Sequence, residues 1–258
     1  MELNELNIDN LTSLWKIMGS QSVTSLSSSK QLNKSFSWPH RCWFDWKTNT
    51  LEISSIDNII SHLGNDNIVP IWNTEAENSN CFEKLLIDAG FEASFEQSAM
   101  FLDIKEYVSI DLPNLDLKIV KSIRDIGDWT KVAIQAFEYE IDISVIKKIY
   151  NELGVQLLIV TVDTQPAATA MIYKTGEVTG IHQVGVSPAY RGKGIAHKLM
   201  QHIIAQSIES SCKYITLQAS TSGQGLYEKL GFKHQFIIQN YKRTIHDQSR
   251  TKMIFNNL

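Results

Sequence analysis

The sequence has few of the cysteines that mark secreted or metal-binding proteins. Its three cysteines in 258 residues stand far apart at Cys42, Cys81 and Cys212, and no two of them form a Cys-x-x-Cys pair. An odd number of widely spaced cysteines favours reduced thiols in the core of a cytoplasmic protein over a disulfide framework. We therefore expect a cytoplasmic location and no bound metal.

Positive charge and long apolar runs are also scarce. The chain carries 24 lysines and arginines against 28 aspartates and glutamates, a net charge of −4, with no basic stripe that would favour nucleic acid. No apolar segment approaches the roughly 20 residues that a membrane span needs. Residues 1–6 lack the basic residues and the apolar run of a signal peptide. We expect neither a nucleic acid nor a membrane as a partner.

What the sequence does have is a glycine-rich turn between a strand and a helix. Apolar residues at 181, 184 and 186 predict a partly buried strand, and those at 199, 200, 203, 204 and 208 recur at helical spacing. Between them stands the run Arg191-Gly192-Lys193-Gly194-Ile195-Ala196. Such a turn directs backbone N–H groups and the positive end of the helix dipole at one ligand, most often a phosphate.

The turn lacks the pattern of two familiar phosphate-binding loops. A P-loop has four residues between its glycines and a Lys-Ser/Thr pair after the second. The dinucleotide fingerprint needs a further glycine or alanine at a fixed place in a βαβ unit whose first strand is buried on both faces. Residues 186–196 instead resemble the acetyl-CoA pyrophosphate loop of the GNAT superfamily of N-acyltransferases, with Ala196 where many members have a third glycine.

A second motif extends this resemblance. Residues 226–232, Leu-Tyr-Glu-Lys-Leu-Gly-Phe, are similar to the short helix of that family that ends in Tyr-Glu-x-x-Gly-Phe, and residues 214–218 predict a strand between the two motifs. Gly231 has the position of the left-handed residue that follows a helix. The resemblance covers residues 117–243. It implies an α/β fold of the α+β type, with a mixed, mostly antiparallel sheet flanked by helices.

The segment Asp111-Leu112-Pro113-Asn114 is a candidate linker that divides the chain into residues 1–110 and 111–258. After it, the patterns predict strands at 117–120, 157–162, 167–173 and 178–186 and helices at 125–139 and 144–153, the second capped by Ser144. This second half carries both motifs, so we expect the cofactor and the chemistry there. Residues 20–37 are rich in serine and fit either a mobile loop or an ordered loop over the site.

The first half contains a weaker copy of the second motif. Residues 82–91 resemble residues 223–232, and placing Gly90 on Gly231 gives an offset of 231 − 90 = 141 residues, which also places Phe95 on Phe236. We therefore interpret residues 1–110 as a degenerate GNAT-like half without a phosphate loop, which packs on the active half and shapes the acceptor site. The alternative is a chance recurrence of Gly-Phe after a helix.

The resemblance also implies which residues hold acetyl-CoA, and in the family a backbone N–H on the strand before the loop polarises the thioester carbonyl. That N–H falls here to Val184 or Gly185, and Gly185 itself fits a bulge, a close backbone approach or a merely tolerated glycine. The full set is Val184, Gly185, Val186, Arg191, Gly192, Lys193, Gly194, Ile195, Ala196, Ser220 and Tyr227. Tyr227 matches the general acid that protonates the coenzyme A thiolate, with a core aromatic as the alternative.

His182 is the candidate general base, because its ordinary pKa near 6.5 suits proton transfer and strand alternation places positions 182, 184 and 186 on one face. A structural histidine is the alternative. Glu138 and Glu140, at the end of the first predicted helix, are expected to attract a cationic amine or to be solvated. Ser220 stands where relatives commonly have asparagine, and Gly223 where they have alanine.

We therefore interpret the chain as an acetyl-CoA-dependent N-acetyltransferase, in which the amine attacks the thioester directly in a ternary complex. A small amine, an amino acid derivative and a protein amine all remain open as acceptors. Two alternatives also remain open, a non-catalytic acyl-CoA-binding or sensing protein and an enzyme for longer acyl chains. A monomer is favoured over a dimer, because the first half can substitute for a partner subunit.

Overall fold

The computed structural model describes residues 2–23, 32–44, 63–74, 79–108, 111–210 and 212–243. Residues 24–31 of the serine-rich segment lie outside this part, as do the residues after Phe44 where the first half was expected to lack a phosphate loop. The described elements follow in the order α1 (Leu3–Ile17), β1 (Gln21–Val23), β2 (Leu32–Lys34), β3 (Cys42–Phe44), β4 (Ile68–Asn73), α2 (Ser79–Asp88), β5 (Phe91–Asp103), β6 (Asp116–Ile119), α3 (Ile123–Phe137), α4 (Ile143–Ile149), β7 (Val155–Val162), β8 (Gln165–Thr175), β9 (Val178–Val186), α5 (Ile195–Glu209), β10 (Tyr214–Ser220), α6 (Gln224–Lys229) and β11 (Lys233–Arg243).

Eight of the described strands form one sheet in the order β4-β11-β5-β10-β9-β8-β7-β6, and β1, β2 and β3 form a second, small sheet. Neighbouring strands of the large sheet are antiparallel except β9 and β10, which are parallel. The expected mixed, mostly antiparallel α/β fold is therefore confirmed. Within the described residues, no helix has the length and apolar character that crossing a membrane requires.

Helices cover both faces of the large sheet. Helices α1, α3 and α4 bury their apolar residues in one cluster, in which Trp129 of α3 is 0% exposed. Its indole Nε1 donates a hydrogen bond to the carbonyl oxygen of Ala170, 3.1 Å away. On the other face, α5 and α6 pack in a second cluster that contains Leu199 and Ile203. The helical spacing in the sequence predicted the buried faces of α3 and α5.

The predicted start of the second helix after the linker was wrong. The Asp142 carboxylate, and not the Ser144 hydroxyl, caps α4 by accepting a hydrogen bond from the backbone N–H of Ser144 at 2.8 Å. The helix therefore begins at Ile143, and it ends at Ile149 because residues 150–153 form turns. Asp and Ser are comparable capping residues, so two neighbouring candidates left the start ambiguous in the sequence.

The two expected halves share the large sheet. Strands β4 and β5 precede the candidate linker and pair with β11 and β10, which follow it. Residues 111–115 have no regular secondary structure, which fits a linker. The division at residue 110 stays a prediction, because backbone hydrogen bonds of the sheet connect the two sides.

The 141-residue offset between residues 82–91 and 223–232 also relates the residue pairs of β5 and β11. Ala99 pairs with Phe236, and Phe95 pairs with Asn240. Adding 141 to 99 gives 240, and subtracting 141 from 236 gives 95, so the offset converts the first pair into the second. The pairs of Met100 with His234 and of Ala93 with Tyr241 are related in the same way. The strand pair therefore has a local two-fold symmetry, as two copies of one helix–Gly-Phe–strand unit would have.

Candidate active site

The site forms where two parallel strands separate. β9 and β10 pair from Val178 and Tyr214 as far as Ile181 and Leu217, and beyond this point the two strands are no longer paired. A cavity of about 1200 Å³ opens at the separation. Its wall includes residues from the first half, among them Trp15, Trp38, Arg41 and Phe95, and from the second half, among them Tyr139, His182 and Tyr227.

A bulge in β9 lies beside the separation. Gly185 pairs with Thr169 of β8, but His182 pairs with Met171, so β9 has one extra residue over this interval. Gln183 takes up the extra length with a φ of 52°, in the left-handed region, and its carbonyl oxygen accepts a hydrogen bond from Thr169 Oγ1 at 3.1 Å. The bulge shifts the alternation of side chains by one residue.

This shift makes the expected common face of positions 182, 184 and 186 wrong. Val184 and Val186 pack against the cluster around α5. His182 lies on the opposite face of β9, where its imidazole contacts Asn10 of α1. The interval between His182 and Val184 contains the extra residue, so simple alternation fails there.

Gly185 is explained by a close approach of helix α3. A Cβ at this position would lie 2.7 Å from Ala136 Cβ and 2.9 Å from Phe137 Cε2. Contacts of this length require one of the groups to move. The sequence left a bulge, a close backbone approach and a tolerated glycine open for Gly185, and these distances support the close approach. The bulge itself lies two residues earlier, at Gln183.

The glycine-rich turn presents free backbone to the surface. Gly192 and Gly194 have φ values of 76° and 73°, and a Cβ added to either one meets nothing within 4 Å. Gly194 is also the N-cap of α5, so no side chain caps the first N–H groups of that helix. Ile195 is buried in the core cluster and Ala196 is half-buried, which fixes the first turn. An open, uncapped helix start of this kind fits a pyrophosphate group.

The two cationic side chains of the turn, Arg191 and Lys193, contact other parts of the protein. Arg191 donates from Nε to the Val186 carbonyl oxygen at 3.2 Å and from Nη2 to the Ala136 carbonyl oxygen at 2.9 Å. The Lys193 ammonium lies 5.2 Å from the centre of the Tyr190 ring. Arg191 therefore fastens the turn to the ends of β9 and α3, and the backbone supplies the donors that face outward.

Tyr227 of α6 lies in the wall of the cavity, and its side chain is 8% exposed. Its ring meets the Phe232 ring edge to face, with the ring centres 5.8 Å apart. Burial raises the pKa of the Tyr227 phenol to about 12, so the group keeps its proton at neutral pH. Ser220, also in the wall, accepts a hydrogen bond from the Gly223 N–H at 3.3 Å.

His182 is held by a buried asparagine. The Asn10 amide nitrogen donates to the Tyr173 carbonyl oxygen at 3.0 Å and to Thr175 Oγ1 at 2.8 Å, and its Oδ1 lies 3.2 Å from His182 Nε2. A carbonyl oxygen accepts and never donates, so the Asn10 amide has one orientation and His182 carries its proton on Nε2. Burial lowers the pKa of His182 to about 4, although a hydrogen bond with Gln218 acts in the opposite direction.

The two candidate acceptor-binding carboxylates have different positions. Glu140 lies in the wall of the cavity. Glu138 ends α3 in the left-handed conformation, with 75% of its side chain exposed, and one carboxylate oxygen lies 3.8 Å from Arg191 Nη2. The structure therefore brings Glu140, His182, Val184, Ser220 and Tyr227 to one cavity.

Cys42 and Cys212 are buried free thiols, as expected. Burial raises the pKa of both thiols, and that of Cys42 to about 12. The side chain of Cys81 lies outside the described part of the chain.

The wall from the first half was not identified from the sequence. Leu11, Leu14 and Trp15 of helix α1, and Met18 directly after it, belong to this wall. These residues recur at steps of three or four, the helical signal that would have found α1. The interaction between Asn10 and His182, 172 positions apart, has no counterpart in any local pattern.

Comparison with known proteins identifies the second half. The model of the acetyltransferase (GNAT) family matches residues 125–232. A GCN5-related N-acetyltransferase from Kribbella flavida superposes with a TM-score of 0.69 at 14% identity, over 96% of this chain and 97% of that one. One from Sphaerobacter thermophilus gives 0.61 at 13% identity, over 82% and 75%. A functionally unknown conserved protein from Staphylococcus epidermidis gives 0.61 at 16% identity, over 88% and 96%. At these identities, the superpositions show a shared fold.

Proposed function

We propose that this chain is an N-acetyltransferase that moves the acetyl group of acetyl-CoA to an amine, as the match of the acetyltransferase (GNAT) family model to residues 125–232 supports. The observation that supports this most strongly is the combination at one end of β9. The strand separates from β10, bulges at Gln183 and then leads through Gly192 and Gly194 into the uncapped start of α5.

In this proposal, the backbone N–H groups of residues 192–196 bind the pyrophosphate, and Val184 to Val186 bind the pantetheine arm. Ser220 adds a hydroxyl on the opposite strand. A backbone N–H of Val184 or Gly185 stabilises the charge that develops on the thioester carbonyl oxygen. When bound, acetyl-CoA supplies an activated acetyl group, which the amine attacks directly in the ternary complex.

Two side chains are proposed to handle protons. Tyr227 keeps its proton at neutral pH and donates it to the departing thiolate. His182 is neutral at that pH, because burial lowers its pKa to about 4, and is the candidate base that takes a proton from the ammonium group of the acceptor, so that the neutral amine can attack. Glu140 attracts the cationic amine, and Glu138 contributes from outside the cavity. The division at residue 110, the cytoplasmic location and the monomeric state stay predictions.

Calorimetric titration with acetyl-CoA tests the cofactor site. We expect micromolar binding by the wild type and a loss of at least about 100-fold in Gly192→Glu, because a carboxylate would enter the anion site. Gly176→Glu is the matched control, since Gly176 also has positive φ and open space but stands in the β8–β9 turn. Equal loss in both variants would mean that backbone strain, and not the anion site, controls binding.

Thiol release with a panel of amines then tests the reaction. Turnover with at least one amine supports the transferase. Binding of acetyl-CoA without turnover of any amine favours the acyl-CoA-binding or sensing protein. Failure of the wild type to bind acetyl-CoA contradicts the assignment of the loop and the proposed function with it.

A further inference from the structure

Arg41 from the first half extends its guanidinium group into the wall of the same cavity. Its backbone is fixed on both sides by Ser35, whose N–H donates to the Arg41 carbonyl oxygen at 2.8 Å and whose hydroxyl accepts from the Arg41 N–H at 3.2 Å. Part of the Arg41 side chain stays accessible, yet burial lowers the pKa of its guanidinium to about 10. Arg41 lines the cavity, so its accessible part faces that space, and the group remains a cation at neutral pH.

Neighbouring groups hold the orientation of this cation. Nη1 donates to Asn240 Oδ1 at 2.7 Å, and the Asn240 amide nitrogen in turn donates to the Ile238 carbonyl oxygen at 3.4 Å, so the oxygen has to face the arginine. The guanidinium carbon also lies 5.3 Å from the Trp15 ring centre and 5.6 Å from that of Phe95. A cation held by an amide and two rings is positioned, but neither the amide nor the rings carry a negative charge that would neutralise it.

Among the described residues, no carboxylate lies within 4.0 Å of Arg41. Its Nε is buried and has no hydrogen-bond partner there. Because this Nε is buried, the donors available to a ligand in the cavity are those of the outer Nη1 and Nη2 groups. A guanidinium offers pairs of parallel N–H donors, and a carboxylate is the group that matches them in geometry and charge.

We propose that Arg41 binds a carboxylate of the acceptor, so that the substrate is an amine that also carries a carboxylate, as amino acids do. The inference rests on the proposed acetyltransferase function, because it names the acceptor of that same cavity. The wall also contains the carboxylates of Asp66, Glu96 and Glu140, which suit the ammonium group of such a molecule, and a second cationic side chain, that of the exposed Lys242. A wall with both carboxylates and cations fits a zwitterion better than a phosphate with two negative charges.

Matched substrates test the inference without any mutation. Thiol release from acetyl-CoA is measured with the standard amino acids, with their amides and with the decarboxylated amines, for example phenylalanine, phenylalaninamide and 2-phenylethylamine. We expect kcat/KM to be at least about 10-fold higher for the acid than for the amide, because a charge-assisted, two-point contact is lost. Equal rates for acid and amide overturn the inference.

Variants then assign the preference to Arg41. In Arg41→Met, kcat/KM for the acid is expected to fall about 10- to 100-fold and that for the amide less than about 3-fold. Arg41→Lys keeps the charge but loses the planar donors, so an intermediate result is expected. Arg243→Met is the control, because Arg243 also lies over a ring, 4.9 Å from the centre of Phe91, but is outside the cavity wall. A parallel fall for acid and amide in Arg41→Met means a structural role and overturns the inference.

Failure of this inference can be separated from failure of the proposed function. The affinity for acetyl-CoA is measured by calorimetry on each variant, and it does not depend on the acceptor. A wild type that does not bind acetyl-CoA contradicts the function. A wild type that binds acetyl-CoA but acetylates no amine at all also contradicts the function. A wild type that acetylates amines but no amino acid, or acetylates amines regardless of a carboxylate, contradicts only the role of Arg41. If Arg41→Met does not fold, the comparison of acid with amide in the wild type and in Arg41→Lys decides.

Discussion

Gly180 of β9 occupies a position that helix α1 approaches too closely for any side chain. A Cβ there would lie 1.7 Å from Asn10 Oδ1, 2.6 Å from Asn10 Cγ and 2.7 Å from His182 Nε2. Ordinary contacts of a Cβ begin at 3.4 Å. We therefore predict that Gly180→Ala displaces the Asn10 amide and weakens the packing of α1 at the point where β9 and β10 separate.

The size of the effect follows from what Asn10 holds. Its side chain is 0% exposed and joins the Tyr173 carbonyl, the Thr175 hydroxyl and His182. Each intramolecular hydrogen bond contributes about 1 kcal/mol net, and overpacking a core costs about 1–3 kcal/mol. The lower entropy of the unfolded alanine variant offsets about 0.4–1 kcal/mol. We expect the free energy of unfolding to fall by about 2–4 kcal/mol.

Urea unfolding of a double-mutant cycle provides the measurement. In the Asn10→Ala background the amide is gone, so Gly180→Ala should cost less than about 1 kcal/mol there, a coupling energy of about 2 kcal/mol. Gly127→Ala in α3 is the control, because a Cβ at Gly127 meets nothing within 4 Å, and it should stabilise the protein by about 0.5–1 kcal/mol. The reasoning is refuted if Gly180→Ala has the same cost in both backgrounds.

Three further predictions concern the site. Tyr227→Phe should lower kcat about 10- to 100-fold in thiol-release kinetics while the calorimetric affinity for acetyl-CoA changes less than about 3-fold; an unchanged kcat would exclude the tyrosine as the acid. Burial lowers the pKa of His182 from 6.5 to about 4, so the unfolded state binds more protons than the folded state between these pH values. The free energy of unfolding should therefore decrease by about 2–4 kcal/mol as the pH falls from 6.5 to 4. His182→Gln should make this decrease smaller. Gly185→Ala, whose Cβ would lie 2.7 Å from Ala136 Cβ, should destabilise by about 1–3 kcal/mol in urea unfolding; an unaltered unfolding midpoint would show that α3 yields freely.

The second half was predictable from sequence because its signals are local. The apolar spacing at 199–208 is sufficient to find α5, which runs from Ile195 to Glu209, and the turn at Gly176 is sufficient to find the β8–β9 hairpin. The sequence offered a bulge only at Gly185, and its position at Gln183 was missed because one extra residue changes the register without requiring a glycine. As a result, His182 was expected on the face opposite to the one that it occupies.

The acceptor side of the site could not be predicted in the same way. Arg41 contacts Asn240 across 199 positions, and Asn10 contacts His182 across 172. Contacts at such separations depend on how the sheet is assembled. The sequence predicted a repeated helix–Gly-Phe–strand unit, but it did not show that the two strands of the predicted repeat pair with each other.

That pairing makes the first half part of the sheet that positions the chemistry. β4 pairs with β11, and in the same way β10 pairs with β5. β5 and β11 pair with each other, and Gln97 and Ile238, which form one of their residue pairs, are 141 positions apart. β5 therefore lies between β10 and β11, the two strands that flank helix α6 in the chain. Tyr227 stands on that helix, so its position depends on a strand from residues 91–103. The first half thus supports the proposed general acid through β5 and contributes Arg41 to the acceptor side of the same cavity.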